Sequence, residues 1–227
     1  MSRTAVLFTG GKDSVFALHK AVERGLDVSV LVSIIPHYNY SLLYHKPVFE
    51  ALKCQAQALG IPLEIIGVYS EGEELKALHT ILHRVRSKYG VKTLVLGAIK
   101  SRYQLRVFSD VARSLQLDVN TPLWGISEES YLDSLLEYGI EFTIISITSM
   151  GIPMSLLGKV INHQDISKLK TLSSKYGFNL SFEGGEAETL VVNAPLFKSK
   201  ISVKGYTTVL SDYEGYYVVT KCGLVKK

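Results

Sequence analysis

The chain has 227 residues, a formal net charge of +4 and a hydrophobic content of 47%, which suits one large globular domain or two small ones. The weakly basic balance is compatible with an anionic ligand, but it is too small to predict direct contact with nucleic acid. Cys54 and Cys222 are the only cysteines, which excludes a disulfide framework and a cysteine zinc site and favours a reducing, cytoplasmic location. No apolar run reaches membrane-spanning length and no signal peptide is expected, so we predict no membrane association.

The first predicted elements enclose a glycine-rich turn. An apolar run at residues 5–8 predicts a buried strand, and residues 15–22 predict a helix with an apolar face. Between them stands Thr-Gly-Gly-Lys-Asp-Ser, at residues 9–14. A glycine pair lets the backbone turn tightly and approach a ligand, and the start of a helix favours an anion. This segment therefore predicts a phosphate-binding loop.

Three side chains of this loop add chemistry. Lys12 brings a positive charge on a mobile side chain, Ser14 brings a hydroxyl, and Asp13 brings a carboxylate that can hold Mg²⁺. The commoner phosphate loop needs a glycine, four residues and then Gly-Lys-Ser/Thr. Here Gly11-Lys12 is followed by Asp13, so the loop indicates a different class of phosphate-binding protein.

Strands and helices then alternate along the chain. Strands are predicted at residues 27–35, 63–68 and 93–97, and helices at residues 48–59 and 71–89. A further helix is predicted after the last of these strands, with a buried side formed by Phe108, Val111, Ala112 and Leu115. This βαβ series predicts an α/β fold with a parallel, doubly wound sheet. Ligands of such sheets bind outside the carboxyl ends of the strands. We therefore expect the loops at residues 9–14 and 36–46 and the segment at residues 98–106 on one edge of the sheet.

The pattern changes after residue 125. Helices are predicted near residues 128–138 and 164–176, and strands at residues 142–147, 189–192, 200–210 and 216–220. The last two strands can pair as a hairpin. We therefore expect a nucleotide-binding domain at residues 1–125 and a smaller α+β domain, for substrate recognition, at residues 126–227.

An acidic segment precedes the predicted strand at residues 189–192. Glu183, Glu186 and Glu188 flank a second glycine pair, Gly184 and Gly185. In an extended chain Glu186 and Glu188 point the same way. Such a cluster could hold Mg²⁺, bind an ammonium group or act as a base, and for the segment alone a solvated acidic loop is the alternative.

Two motifs together resemble a known family. Residues 9–14 resemble the PP-loop, Ser-Gly-Gly-x-Asp-Ser, of ATP pyrophosphatases, with Thr9 in place of serine. With the Glu-Gly-Gly-Glu segment, the chain resembles the diphthine–ammonia ligase family. The likeness extends to residues 31–36, 96–104 and 121–125 and so covers most of the chain. It departs from the family at Ala187, where an aromatic residue is usual, and at Asn193, where aspartate is usual.

The resemblance implies a HUP-like fold and an ATP-dependent amidation. Diphthine, a modified histidine of translation elongation factor 2, carries a carboxylate and a trimethylammonium group. In this family ATP adenylates the carboxylate, and ammonia displaces AMP to give diphthamide. No glutaminase segment is visible in the sequence, so the expected nitrogen source is ammonium. The implied partners are therefore ATP, Mg²⁺, ammonium and elongation factor 2 that bears diphthine.

The resemblance also implies site residues. The ATP-binding set is Thr9, Gly10, Gly11, Lys12, Asp13, Ser14, Ser33 and Gly97, with Asp13 also directed at Mg²⁺. The catalytic set is Lys12, Glu183, Glu186 and Glu188. The substrate-binding set is Tyr103, Gln104, Gly184, Gly185 and Thr189.

Other residues and functions stay open. Lys100, Arg102 and Arg106 could assist at the phosphates or could form a solvated helix face, and His45 could approach the substrate from its loop. One alternative function is a tRNA-modifying PP-loop enzyme, although such enzymes usually employ cysteines for sulfur transfer. Another is a regulatory protein that binds ATP without turnover. A homo-oligomer is also compatible with the sequence.

Overall fold

The chain forms two compact units. The structure, a computed structural model, describes residues 3–38, 43 and 48–227. Within that part, the first unit comprises residues 3–9, 13–38, 43 and 59–124, and the second comprises residues 10–12, 48–58 and 125–227. Two short segments that the sequence analysis assigned to residues 1–125 thus group with the C-terminal unit. The assignment of separate binding roles to the two predicted domains stays a prediction.

The described elements follow one another in a regular order. They are β1 (Arg3–Leu7), α1 (Lys12–Glu23), β2 (Asp27–Pro36), α2 (Phe49–Leu59), β3 (Leu63–Val68), α3 (Glu74–Tyr89), β4 (Val91–Val95), α4 (Arg102–Ser114), β5 (Asp118–Asn120), α5 (Glu128–Glu137), β6 (Glu141–Ile147), α6 (His163–Tyr176), β7 (Ala187–Asn193), β8 (Lys200–Ser211) and β9 (Glu214–Val225). Short 3₁₀ turns precede α3 and follow β6.

The first unit is built on a parallel sheet in the order β3-β2-β1-β4-β5. Strand β2 is buried on both faces, because its consecutive residues Val30, Leu31 and Val32 have no exposed surface, as expected for a parallel strand covered on two sides. Apolar positions of α3 and α4, such as Leu78 and Phe108, pack against the sheet. The predicted parallel α/β fold is confirmed.

The second unit is built on an antiparallel sheet in the order β7-β6-β9-β8. The predicted hairpin is formed by β8 and β9, which are longer than expected. Helix α2 belongs to this unit because Ala51 packs with Ile145 of β6 and Leu190 of β7. An apolar helix face predicts that the helix is packed, but it does not identify the sheet that covers it.

One strand of the first sheet differs from its prediction, and another was not predicted. Strand β4 lies at Val91–Val95 instead of residues 93–97, so Gly97 lies in the loop that follows it, at the carboxyl edge of the sheet. The unpredicted strand, β5, has three residues, too few to show a recognisable alternation of apolar and polar residues.

Candidate active site

The glycine-rich loop lies at the switch point of the parallel sheet. Strand β1 is in the middle of the sheet, with β2 on one side and β4 on the other. The connection from β1 runs toward β2, while the chain reaches β4 only after β3. A crevice at such a reversal, outside the carboxyl ends of the strands, is where ligands of α/β sheets bind. The loop at residues 9–14 leaves β1 at this edge, as predicted.

Gly97 permits a close approach between two backbone segments. A Cβ atom built on this residue would lie 2.9 Å from the carbonyl carbon of Asp13 and 3.0 Å from the backbone nitrogen of Ser14. Backbone atoms cannot move aside as a flexible side chain can. Any larger residue at position 97 would therefore displace the first turn of α1.

Hydroxyl groups form hydrogen bonds where the chain leaves β1 and enters the loop. The backbone N–H of Thr9 donates to Oγ of Ser14 at 3.2 Å, and the two hydroxyl oxygens also lie 3.2 Å apart. The buried hydroxyl of Ser33 donates to the carbonyl of Phe8. Ser33, predicted to bind ATP, thus fixes the end of β1 that leads into the loop.

Gly10 is held from two directions within the second unit. Its φ of +75° is in the left-handed region that favours glycine. Its carbonyl accepts the N–H of Val191 at 3.0 Å and the side-chain amide of Gln55 at 2.8 Å. The loop backbone is therefore fixed by β7 and α2 at this point.

Lys12 is buried rather than mobile. Only 2% of its surface is exposed, and its Nζ donates to the carbonyl of Ser181 at 2.6 Å. The same nitrogen lies 5.3 Å from the ring centre of Phe182 and 5.7 Å from that of Tyr131. Aromatic faces attract a cation, and the attraction is stronger away from water. The expectation of a freely moving charge is corrected: this ammonium group is held.

Thr189 contacts the loop instead of standing apart as a substrate-binding group. Its hydroxyl oxygen accepts the backbone N–H of Lys12 at 3.1 Å. The first N–H groups of a helix have no partner within the helix, so Thr189 supplies one from β7. Its predicted contact with substrate stays a prediction.

The segment at residues 179–186, here named the acidic loop, is organised by Asn179. Both the backbone N–H and the hydroxyl of Ser181 donate to Oδ1 of Asn179 at 2.7 Å. The backbone N–H of Asn179 donates in turn to Oε1 of Glu186 at 3.1 Å. The left-handed backbone of Phe182, with φ of +59°, turns the chain between them. The carbonyl that holds Lys12 and the Glu186 carboxylate are thus parts of one network.

Glu186 has one carboxylate oxygen without a hydrogen bond. Its Oε2 atom is buried and has no partner in the structure, although buried polar atoms are nearly always paired. Glu186 lies in a bend before β7 begins at Ala187, so the extended-chain argument that aligned it with Glu188 does not hold. A donor such as an ammonium ion would complete the oxygen's bonding.

The other predicted residues of this region lie on either side of Glu186 in the chain. Glu183 is half-buried and Gly184 is exposed. Glu188 lies on β7 opposite Ser146 of β6. A Cβ atom on Gly184 would lie 2.7 Å from Oε1 of Glu186, so this glycine leaves room for the carboxylate. Gly185 adopts a φ of +84° and completes the turn.

The predicted substrate residues on α4 lie at its first turn. The N–H of Gln104 is capped by the hydroxyl of Ser101 at 3.4 Å, and its side-chain amide donates to the carbonyl of Leu43 at 3.4 Å. Tyr103 is exposed. The cationic side chains nearby are exposed as well, namely Lys100, Arg102 and Arg106. His45, also considered above, lies outside the described residues.

A magnesium site is supported only in part. In the described part of the chain, no group of three or more His, Cys, Asp or Glu residues is arranged to hold a metal ion. Asp13 stands in the first turn of α1. One carboxylate is enough for Mg²⁺ when the phosphates of a nucleotide and water supply the other ligands. The residues therefore fit an ion that arrives with ATP.

Several residues of these networks were not predicted. Contacts with residues far away in the chain fix Gln55, Tyr131 and Ser181, whereas Asn179 bonds to Ser181 and Glu186 nearby in the chain. One signal was available for Gln55, which interrupts the apolar face of α2. The others carry no local pattern that distinguishes them from ordinary polar or aromatic residues.

The two departures from the family pattern both lie on β7. Ala187 is buried on β7, opposite Ile147. The side-chain amide of Asn193 donates to Oε1 of Glu141 at 2.9 Å, which an aspartate could not do. Burial would raise the pKa of Glu141, but hydrogen bonds from Asn193 and Lys200 bring the pKa below its usual 4.5.

Cysteine chemistry receives no support. Burial, together with a hydrogen bond in which the Cys222 thiol donates to Cys54, raises the pKa of the Cys222 thiol to about 12. A thiol rather than a thiolate is therefore present at neutral pH, and the thiolate is the nucleophile.

Comparison with known proteins identifies the family. The family model described as diphthamide synthase N-terminal domain matches residues 2–119, and the one described as diphthamide synthase C-terminal domain matches residues 127–225. The diphthine–ammonia ligases of Homo sapiens and Bos taurus are 30% and 31% identical to the chain, with 94% of the chain and 87% of each relative covered. The enzyme of the same name from Danio rerio is 30% identical, with 94% and 91% covered.

One solved structure is similar to the chain at low sequence identity. A protein described as a predicted subunit of tRNA methyltransferase from Methanocaldococcus jannaschii is 16% identical, with 86% of this chain and 98% of that chain covered and a TM-score of 0.43. No helix in the described part of the chain combines the length and apolar character needed to cross a membrane. From the two family models and the curated relatives, the chain belongs to the diphthamide synthase family.

Proposed function

We propose that the chain is an ATP-dependent ligase that converts the carboxylate of diphthine, on translation elongation factor 2, into the amide of diphthamide. The observation that carries the proposal is the match of both diphthamide synthase domains over nearly the whole chain. The place of the loop at residues 9–14, at the switch point of a parallel sheet, supports its use of ATP. The tRNA-modifying and regulatory alternatives gain no specific observation.

The reaction has two balanced steps. An oxygen of the diphthine carboxylate attacks the α-phosphorus of ATP, and the bond to pyrophosphate breaks. Ammonia then attacks the carbonyl carbon of the adenylate, and AMP leaves with the carboxylate oxygen that had attacked. The first step is needed because a carboxylate has no adequate leaving group, whereas AMP is one.

The glycine-rich loop is assigned to the phosphates. The backbone N–H groups near Gly11, together with the dipole of α1, favour the anionic phosphates. Lys12 supplies a fixed positive charge, and fixed charges are worth most where charge develops in the transition state. We assign Lys12 to the pyrophosphate leaving group, where it would exchange the Ser181 carbonyl for a phosphate oxygen. Asp13 would hold Mg²⁺ together with the phosphates.

The acidic loop is assigned to the nitrogen source. The unpaired Oε2 of Glu186 suits an ammonium ion, which has donors and no acceptor. Transfer of a proton from ammonium to a carboxylate would release neutral ammonia, the nucleophile. Glu183 and Glu188 would add negative charge that favours ammonium and the trimethylammonium group of the substrate. Gly184, Gly185, Tyr103 and Gln104 are proposed to line the path of the substrate.

The test is a reconstituted reaction in which each component is omitted in turn. Purified chain is incubated with ATP, ammonium and diphthine-bearing elongation factor 2 in a cytoplasm-like buffer. We expect AMP and pyrophosphate in equal amounts and a change in the intact mass of elongation factor 2 that matches conversion of an acid to an amide. A dominant ADP product, or AMP formation that depends on tRNA instead of elongation factor 2, would contradict the proposal.

A further inference from the structure

Gln55 is a fully buried polar residue on an otherwise apolar helix face. It has no exposed surface, and Ala51, Leu52 and Ala58 on the same face of α2 are buried as well. Burying an amide costs about 1–3 kcal/mol unless its hydrogen bonds are replaced. The partners of this side chain therefore indicate what it does.

The amide of Gln55 bridges the glycine-rich loop and β7. Its Nε2 atom donates to the carbonyl of Gly10 and to the carbonyl of Val191, both at 2.8 Å. Because both neighbours are acceptors, the nitrogen and not the oxygen of the amide must face them. The N–H of Val191 also donates to the Gly10 carbonyl, at 3.0 Å, so that carbonyl receives two donors.

The oxygen of the same amide occupies the space beside Gly10. A Cβ atom on Gly10 would lie 2.1 Å from Oε1 of Gln55, and this oxygen has no hydrogen-bond partner. The amide therefore stands where a side chain at position 10 would stand. It both orients the carbonyl of Gly10 and restricts the position of its Cα atom.

Fixing the Gly10 carbonyl also fixes the next N–H group. A peptide unit is planar and trans, and the described chain has no cis peptide. The N–H of Gly11 consequently points opposite to the carbonyl of Gly10, away from Gln55 and Val191. That N–H belongs to the glycine-rich loop, so the direction of this donor depends on two hydrogen bonds made by residues outside the loop.

We infer that Gln55 is a positioning residue for ATP cleavage, acting through the Gly10–Gly11 peptide. The inference rests on the proposed function, which gives the loop its phosphates. Loss of one neutral hydrogen bond is worth about 0.5–1.5 kcal/mol, which corresponds to a change in rate of up to about tenfold. A misdirected donor lowers kcat more than ATP affinity, because the remaining loop contacts still hold the nucleotide.

Two variants separate positioning from packing. Gln55→Met keeps the volume and removes the donors, and we expect kcat for AMP formation to fall about tenfold while KM for ATP changes less than threefold. Gln55→Glu keeps the shape but places oxygens against two carbonyls, so we expect a larger loss, on the order of 10². Leu52→Met, one turn earlier on the same buried face, is the matched control and should keep the wild-type kcat.

A second measurement does not depend on activity. Amide hydrogen exchange at Val191, whose N–H bonds to Gly10, should be faster in Gln55→Met than in the wild type and unchanged in Leu52→Met. Wild-type protein that makes no AMP would contradict the proposed function, yet the exchange result would still decide this inference. The inference is overturned if Gln55→Met keeps the wild-type kcat, or if the exchange at Val191 is unaltered.

Discussion

The loop at residues 9–14 and the acidic loop at residues 179–186 organise charge by different means. The first uses backbone groups: a left-handed Gly10, the start of α1, and the close approach of Gly97 to Asp13. The acidic loop uses side chains, with Asn179 bonded to Ser181 and Glu186. The loop at residues 9–14 is therefore sensitive to larger residues at its glycines, whereas the acidic loop is sensitive to the removal of any one hydrogen-bonding side chain.

The two loops are in contact at Lys12. Lys12 belongs to the first loop, but its ammonium group is held by the carbonyl of Ser181 in the acidic loop. A buried charge that loses its partner is costly. Binding of phosphate at Lys12 and rearrangement of the acidic loop are therefore expected to be coupled.

Removal of the Lys12 charge should have the largest effect. We expect Lys12→Ala to lower kcat by roughly 10²–10³, because one preorganised donor to a developing charge is worth about that much, and to weaken ATP binding less. Lys20→Ala is a matched control, since Lys20 lies on the same helix and over an aromatic ring, that of Phe16, at 5.2 Å. Equal rates for Lys12→Ala and wild type at saturating ATP would exclude a catalytic Lys12.

Removal of the Glu186 charge should distinguish the role of the acidic loop from that of the loop at residues 9–14. We expect Glu186→Gln to lower amide formation by roughly 10², with ATP affinity of the free enzyme changed only a few-fold. Glu137→Gln, an exposed carboxylate elsewhere in the second unit, serves as the control, and thermal midpoints exclude unfolding. Equal losses of ATP affinity and amidation would place Glu186 in the nucleotide site instead.

A larger residue at position 97 should lower both the free energy of unfolding and the affinity for ATP. Gly97→Ala places a methyl group against the backbone of Asp13 and Ser14, so we expect a loss of about 1–3 kcal/mol in the free energy of unfolding and weaker ATP binding. Gly72→Ala is the matched control, because a Cβ atom there meets nothing within 4 Å. Chemical unfolding and ATP titration of both variants check the expectation, and equal stability of the two would refute the close approach.

Restoring the usual family residue at position 193 should have the smallest effect. The lowered pKa of Glu141 means that its stabilising contribution is present above its ordinary pKa of 4.5 and is lost as pH falls through the lower folded value. Asn193→Asp removes a donor and adds a like charge, so we expect a loss of up to about 1 kcal/mol near pH 7. The loss should shrink as the pH falls below 4.5, because protonation relieves the repulsion. A constant difference in unfolding free energy across this range would contradict the explanation.

The glycine-rich loop at residues 9–14 could be predicted from the sequence because the features that it needs are local. Two adjacent glycines, a preceding apolar run and a following helix are all visible within residues 5–22. The burial of Lys12 could not be predicted, since Ser181 and Tyr131 are more than a hundred residues away in the chain. The position of α2 was missed for the same physical reason: an apolar face does not name its partner.

We expect one carboxylate oxygen of diphthine to become bonded to the phosphorus of AMP. The most direct test supplies elongation factor 2 in which both oxygens of the diphthine carboxylate are heavy oxygen, together with ATP and ammonium, and measures the mass of the AMP released. Each AMP should carry one labelled oxygen, and the diphthamide formed should retain the other. Unlabelled AMP, with amide still formed, would contradict adenylation of the carboxylate.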